Sequence, residues 1–81
     1  MTTDPEAYRL VTAALDEAGV GPDVPDAFLI DLTAYALSVA RGFSTREGAI
    51  DLLVDEHDLA RPFVTKALDL AVEALTANPQ E

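Results

Sequence analysis

An 81-residue chain with 15 acidic against five basic side chains carries a formal net charge of −10. That balance works against nucleic-acid phosphates and anionic lipid as partners, and the absence of cysteine excludes disulfides, thiolate metal sites and thiol nucleophiles. There is room for one domain, residues 1–81, with one core. At 49% apolar, the chain is too hydrophobic for an acidic disordered tail.

The first residues, Met1-Thr2-Thr3-Asp4, lack a basic patch leading into an apolar run, and no stretch of about 18 apolar residues occurs. The expected location is the cytoplasm. Lys66 is the sole lysine and Asp outnumbers Glu nine to six. Such a surface stays hydrated where salt shortens the Debye length to about 3 Å at 1 M. This composition points to a halophilic source, with a GC-rich genome as the rival explanation.

The first helix is predicted over residues 4–18. Thr3-Asp4-Pro5-Glu6 has the form of a capping box with proline in the first turn. Tyr8, Val11, Leu15 and Ala18 recur at helical spacing, and Gly19 stands where a left-handed cap is needed. Asp23-Val24-Pro25-Asp26 repeats the start signal, with Asp23 as cap, for a second helix over 24–41. Phe28, Leu32, Tyr35, Ala36 and Val39 make its main stripe, while Leu29, Ile30 and Leu37 spread apolar character around it. Only Ala27, Asp31, Ala34 and Ser38 leave a narrow small or polar strip, so this helix is expected at the centre of the fold or in an oligomer interface.

Gly42 closes the second helix, Phe43 is expected to pack back over the junction, and Ser44-Thr45-Arg46-Glu47 reads as another capping box. The third helix spans about 45–56, with Ala49, Ile50, Leu53 and Val54 inward. Gly48 within it costs about 1 kcal/mol relative to Ala, which predicts a tight crossing by another helix. Asp55-Glu56-His57-Asp58 is read as leading into the next helix, with Asp58 as its cap and Pro62 near its first turn. That fourth helix, 59–77, turns Phe63, Val64, Ala67, Leu68, Ala71, Ala74 and Leu75 inward before Asn78-Pro79 stops it. No alternating strand pattern competes. The expected fold is all-α, a compact four-helix domain with short connections.

No cofactor motif is present, and no metal site is assigned. Asp51, Asp55, Glu56 and Asp58 with His57 form the one ligand-like grouping, but neither a calcium loop nor paired Glu-x-x-His motifs occur. The group is read as a solvated acidic face. His57 is the only histidine, so a triad or three-histidine zinc site lacks its other members, and the ring is expected to meet free carbonyls at a helix end. Ser38 and Ser44 have no neighbouring base. Acyl carrier proteins share the size and acidity, yet they carry their prosthetic group on a serine in Asp-Ser-Leu, and no Asp-Ser pair exists here.

Within Leu59-Ala60-Arg61-Pro62-Phe63-Val64-Thr65-Lys66-Ala67-Leu68, the small-Arg-x-x-Val-x-x-Ala-Leu pattern resembles the opening of a recognition helix in helix-turn-helix regulators. The resemblance implies DNA contact by Arg61, Thr65 and Lys66. Residues 58–81 carry four acids and two bases, net −2, which is not the basic footprint of a DNA-binding domain.

The leading expectation is therefore a non-catalytic interaction or regulatory module that binds another protein or, most simply, itself as a homodimer. Leu29, Ile30, Tyr35 and Leu37 are the candidate interaction residues. The alternatives are the DNA-binding regulator and an acidic mimic of nucleic acid built on the third helix. An enzyme is not expected, because no nucleophile, base and anion-stabilising group occur together.

Overall fold

Helix signals in the chain become four α-helices in a computed structural model that describes residues 5–20 and 24–78. These are α1 (Pro5–Glu17), α2 (Asp26–Ala40), α3 (Arg46–His57) and α4 (Arg61–Ala77). The described residues contain no strand. The protein is an all-α four-helix domain, and none of its described helices is long and apolar enough to cross a membrane.

Helix ends follow local chemistry. Gly19 (φ 75°) and Gly42 (φ 82°) supply the left-handed residues after α1 and α2. The next amide at each end, Val20 or Phe43, donates to the Leu15 or Ser38 carbonyl, at 2.9 and 2.8 Å. The Phe43 amide completes this cap, but its ring does not pack over the junction and is 80% exposed. At α3 the cap is Thr45, whose hydroxyl accepts from the Gly48 amide at 3.0 Å. Ser44 is not the cap; its hydroxyl pairs with that of Ser38 at 2.8 Å, and Glu47 turns to arginines.

Two other expectations are corrected. No helix crosses at Gly48: a Cβ there would lie 2.9 Å from Thr45 Oγ1, so glycine leaves room for the cap's own hydroxyl. Asp58 does not cap α4. It ends α3 in the left-handed region (φ 51°), its amide bonded to the Val54 carbonyl at 2.9 Å, and α4 starts three residues on after Ala60 without a side-chain cap. The connection between α3 and α4 is thus only residues 58–60. The caps expected at Thr3 and Asp23, and Pro79 after α4, lie outside the described residues. Pro25 is the residue preceding α2 and makes no side-chain cap.

Packing centres on α2 and α4, each of which touches all three other helices, while α1 and α3 do not meet. Ala7, Val11 and Leu15 form the buried stripe of α1, so the stripe is rotated by one residue at its start, leaving Tyr8 half-buried and Ala18 exposed. From α2 come Phe28, Leu29, Leu32, Thr33 and Ala36. Leu29 is therefore a core residue, and burial beside Phe28 withdraws it from the candidate interaction surface. Thr33 satisfies its buried hydroxyl by donating to the Leu29 carbonyl at 2.8 Å. Ala49, Ile50 and Leu53 of α3 meet Val64, Ala67, Leu68, Ala71 and Leu75 of α4 in the same cluster.

The backbone at Asp58 gives a stability test. A non-glycine residue at positive φ is disfavoured, and this one also places a carboxylate at the negative end of the α3 dipole. Asp58→Gly is expected to stabilise the fold by about 1 kcal/mol in urea denaturation, because glycine keeps the Val54 bond and removes both penalties.

Candidate functional site

Across the seam between α2 and α3, four polar side chains converge. Asp31 and Tyr35 stand one turn apart on α2 and share a face. Glu56 and His57 are adjacent in the last turn of α3 and diverge by the helical period, so each reaches a different one of the pair. His57 Nε2 lies 2.8 Å from Asp31 Oδ2, with the imidazole side chain 16% exposed and the aspartate 44%. The Tyr35 hydroxyl donates to both Glu56 carboxylate oxygens at 3.2 Å. Burial first, and then the Glu56 and Asp31 carboxylates, push the Tyr35 phenol above its ordinary pKa, which keeps it a donor.

The imidazole is held from behind. The Phe28 ring meets His57 edge to face, centroids 5.3 Å apart at 89°, and leans on Phe63 of α4 at 5.9 Å. His57 thus does not serve the free carbonyls of its helix end; a carboxylate from a neighbouring helix takes it instead. One ligand atom each from Asp31, Glu56 and His57 lies within 4.8 Å of the others, making this the one three-donor group among the described residues suited to a metal ion.

On the other side of α3, Glu47 and Asp51 are engaged by arginines. Arg61 reaches back from α4 to Asp51 at 2.7 Å and Glu47 at 3.2 Å. Arg46 forms a two-pronged bond to Asp69 of α4, at 2.7 and 2.9 Å, and touches Glu47 at 3.3 Å. Hydrogen bonding to Arg46 holds the Asp69 carboxyl below its usual pKa. Both arginines are driven further above their already high values, chiefly by hydrogen bonds to Asp69 and to Asp51 respectively.

The sequence-derived candidates separate accordingly. Leu29 is in the core, Leu37 is half-buried, and Tyr35 belongs to the polar seam. Ile30 alone of the four is well exposed, at 45%, and it borders an open groove of about 500 Å³ shared with Pro5, Tyr8, Arg9 and Thr12 of α1. Of the DNA candidates, Arg61 is tied to two carboxylates, Thr65 is half-buried, and Lys66 is exposed without an ion pair among the described residues. Two exposed apolar side chains were not foreseen, Phe43 and Leu52.

Asp31 also escaped the sequence reading of the acidic group, because it joins Glu56 and His57 from about 25 residues away. Its signal was present. Beyond the first residue of α2, Asp31 is the only charge in the helix Asp26–Ala40, a position where an unpaired carboxylate is disfavoured.

The Arg46–Asp69 pair predicts an acid response. A folded-state pKa below the unfolded value means that the pair stabilises at pH above the unfolded value and that this is lost as pH falls through the folded one. Wild type is expected to exceed Asp69→Asn modestly in urea midpoint at neutral pH and low salt. The difference should close in acid below the ordinary carboxylate range, and shrink in molar KCl because both side chains are about half exposed. Comparison with known proteins supplies no relative from which to read these groups: no protein family, no curated protein and no solved structure matches the chain.

Proposed function

We propose that the chain is a non-catalytic, acidic helical interaction module of the cytoplasm that associates with a second copy of itself. The observation that carries this reading is the open groove between α1 and α2, bordered by the exposed Ile30 and lined by Tyr8, Pro5 and Arg9, which has no ion pair among the described residues. Small helical domains gain much from further apolar burial, at about 25 cal/mol per Å².

Charge favours a second copy as the occupant. Asp26 precedes Ile30 by one turn on the same face of α2, is exposed, and has no ion pair among the described residues. In a two-fold contact centred on Ile30, Asp26 of each copy would meet Arg9 of the other while Leu37, two turns on, extends the apolar stripe. Overall repulsion between two chains of charge −10 opposes the contact at low salt and is screened at high salt. This agrees with the halophilic reading of the composition.

Sedimentation equilibrium in about 2 M KCl tests it. The expected result is dimer mass for wild type and monomer mass for Ile30→Glu at equal concentration, with unchanged helicity. A wild-type chain that stays monomeric overturns the reading.

The second reading, a helix-turn-helix DNA-binding regulator, is favoured by one observation: α3 and α4 are joined by only three residues, with Asp58 in the left-handed conformation that such turns use. Against it stands the engagement of Arg61 by Asp51 and Glu47, which leaves Lys66 as the cation near the start of α4 without an ion pair among the described residues. The same ion pairs engage carboxylates that a nucleic-acid mimic would need. No salt-dependent shift of random-sequence duplex is expected from wild type. A shift that Lys66→Ala and Arg61→Ala remove would establish the DNA reading instead.

A further inference from the structure

We propose that Asp31, Glu56 and His57 form a binding site for a first-row divalent metal ion of the Zn²⁺ type, which clasps α2 to α3. Three features of the seam carry this beyond an ordinary His–Asp pair. The first is the donor set itself: one imidazole nitrogen and two carboxylates with ligand atoms inside 4.8 Å. Tetrahedral Zn²⁺ with bonds of about 2.0–2.1 Å places its ligand atoms about 3.3 Å apart. Closing on a central ion therefore asks for shifts on the scale of side-chain adjustment, and the metal would take the place of the present contact between His57 Nε2 and Asp31 Oδ2.

The second feature is charge. Glu47, Asp51 and Asp69 each have an arginine partner, whereas Asp31 and Glu56 face one another with no lysine or arginine paired to either among the described residues. Two carboxylates so close, met by a single imidazole, form a locally acidic pocket of donors, and a divalent cation is a species that would neutralise it.

The third is the support around the donors. The Tyr35 hydroxyl holds the Glu56 carboxylate, and the buried Phe28 ring fixes the plane of the imidazole. Outer groups of this kind orient ligands in metal sites. The imidazole selects the class of ion, since Mg²⁺ and Ca²⁺ prefer six or more oxygens while nitrogen suits Zn²⁺ and its neighbours. Three protein ligands leave the fourth position of a tetrahedral ion to water.

His57 is the only histidine, so its ring resonances in a heteronuclear NMR spectrum report this site alone. Titration with ZnCl₂ is expected to shift those resonances with one-to-one stoichiometry, to raise the thermal midpoint, and to outcompete an equal concentration of MgCl₂. Asp31→Asn and Glu56→Gln, both at accessible positions and checked for helicity, should each weaken Zn²⁺ binding by at least about 10-fold, with a smaller loss for Tyr35→Phe. The double variant Asp51→Asn/Asp55→Asn, which removes acidic charge elsewhere on α3, should bind as wild type does. Three results would overturn the proposal: His57 resonances indifferent to Zn²⁺, affinity unchanged in both Asp31→Asn and Glu56→Gln, or affinity lost in the Asp51/Asp55 variant. The last would identify diffuse attraction to an acidic surface.

Discussion

The aromatic contact made by Phe28 is the interaction on which both the core and the polar seam depend. This ring, fully buried in α2, tilts against Phe63 of α4 on one side and meets the edge of His57 of α3 on the other. An aromatic pair of this kind adds about 0.5–1.5 kcal/mol to the burial of the rings themselves. Its larger effect is geometric. By filling the space where three helices meet, Phe28 fixes how far α3 stands from α2, and hence whether His57 can reach Asp31. The hydrophobic packing and the polar cluster are two sides of one contact.

Charge is distributed less uniformly than a net value of −10 suggests. Between α3 and α4 the arginines and carboxylates pair locally, drawing Arg46, Arg61, Glu47, Asp51 and Asp69 into one exposed network. Such pairs contribute little stability in water, but they determine what each surface offers to a partner. At the start of α4, Arg61 is already neutralised by Asp51 and Glu47, which reduces its attraction for phosphates. The α1–α2 groove presents Arg9 beside apolar side chains, and the α2–α3 seam presents two carboxylates that meet an imidazole but, among the described residues, no lysine or arginine. Three faces of one small domain therefore differ in the charge and apolar character they expose.

Much of the fold was legible along the chain because helix boundaries depend on neighbours in sequence. Gly19 and Gly42 stop their helices through backbone freedom at the residue itself, and the Thr45 cap reaches only three residues ahead. Where two readings of a local signal competed, tertiary context chose. The box Ser44-Thr45-Arg46-Glu47 put Ser44 in the cap position, but the Ser38 hydroxyl takes Ser44 and Thr45 caps α3 instead. Asp58 was suited to start α4 or to end α3, and the continuing carbonyl ladder at Val54 made it an end. Gly48 looked like a site for a passing helix, yet the constraint came from the hydroxyl of its own cap.

By itself the sequence determined the all-α class, the number and approximate extent of the helices and most of the buried stripe of α3 and α4, since each follows from spacing within a few residues. Tertiary structure alone decided which of the apolar residues around α2 face inward, making Leu29 core and Ile30 surface, because periodicity cannot separate them on a helix that is apolar nearly all round. It also decided the partners of the charges. Asp31 with His57, Tyr35 with Glu56, Arg46 with Asp69 and Arg61 with Asp51 each join residues separated by ten or more positions. Such pairs arise from the packing of whole helices, a long-range consequence of burial that no local pattern encodes.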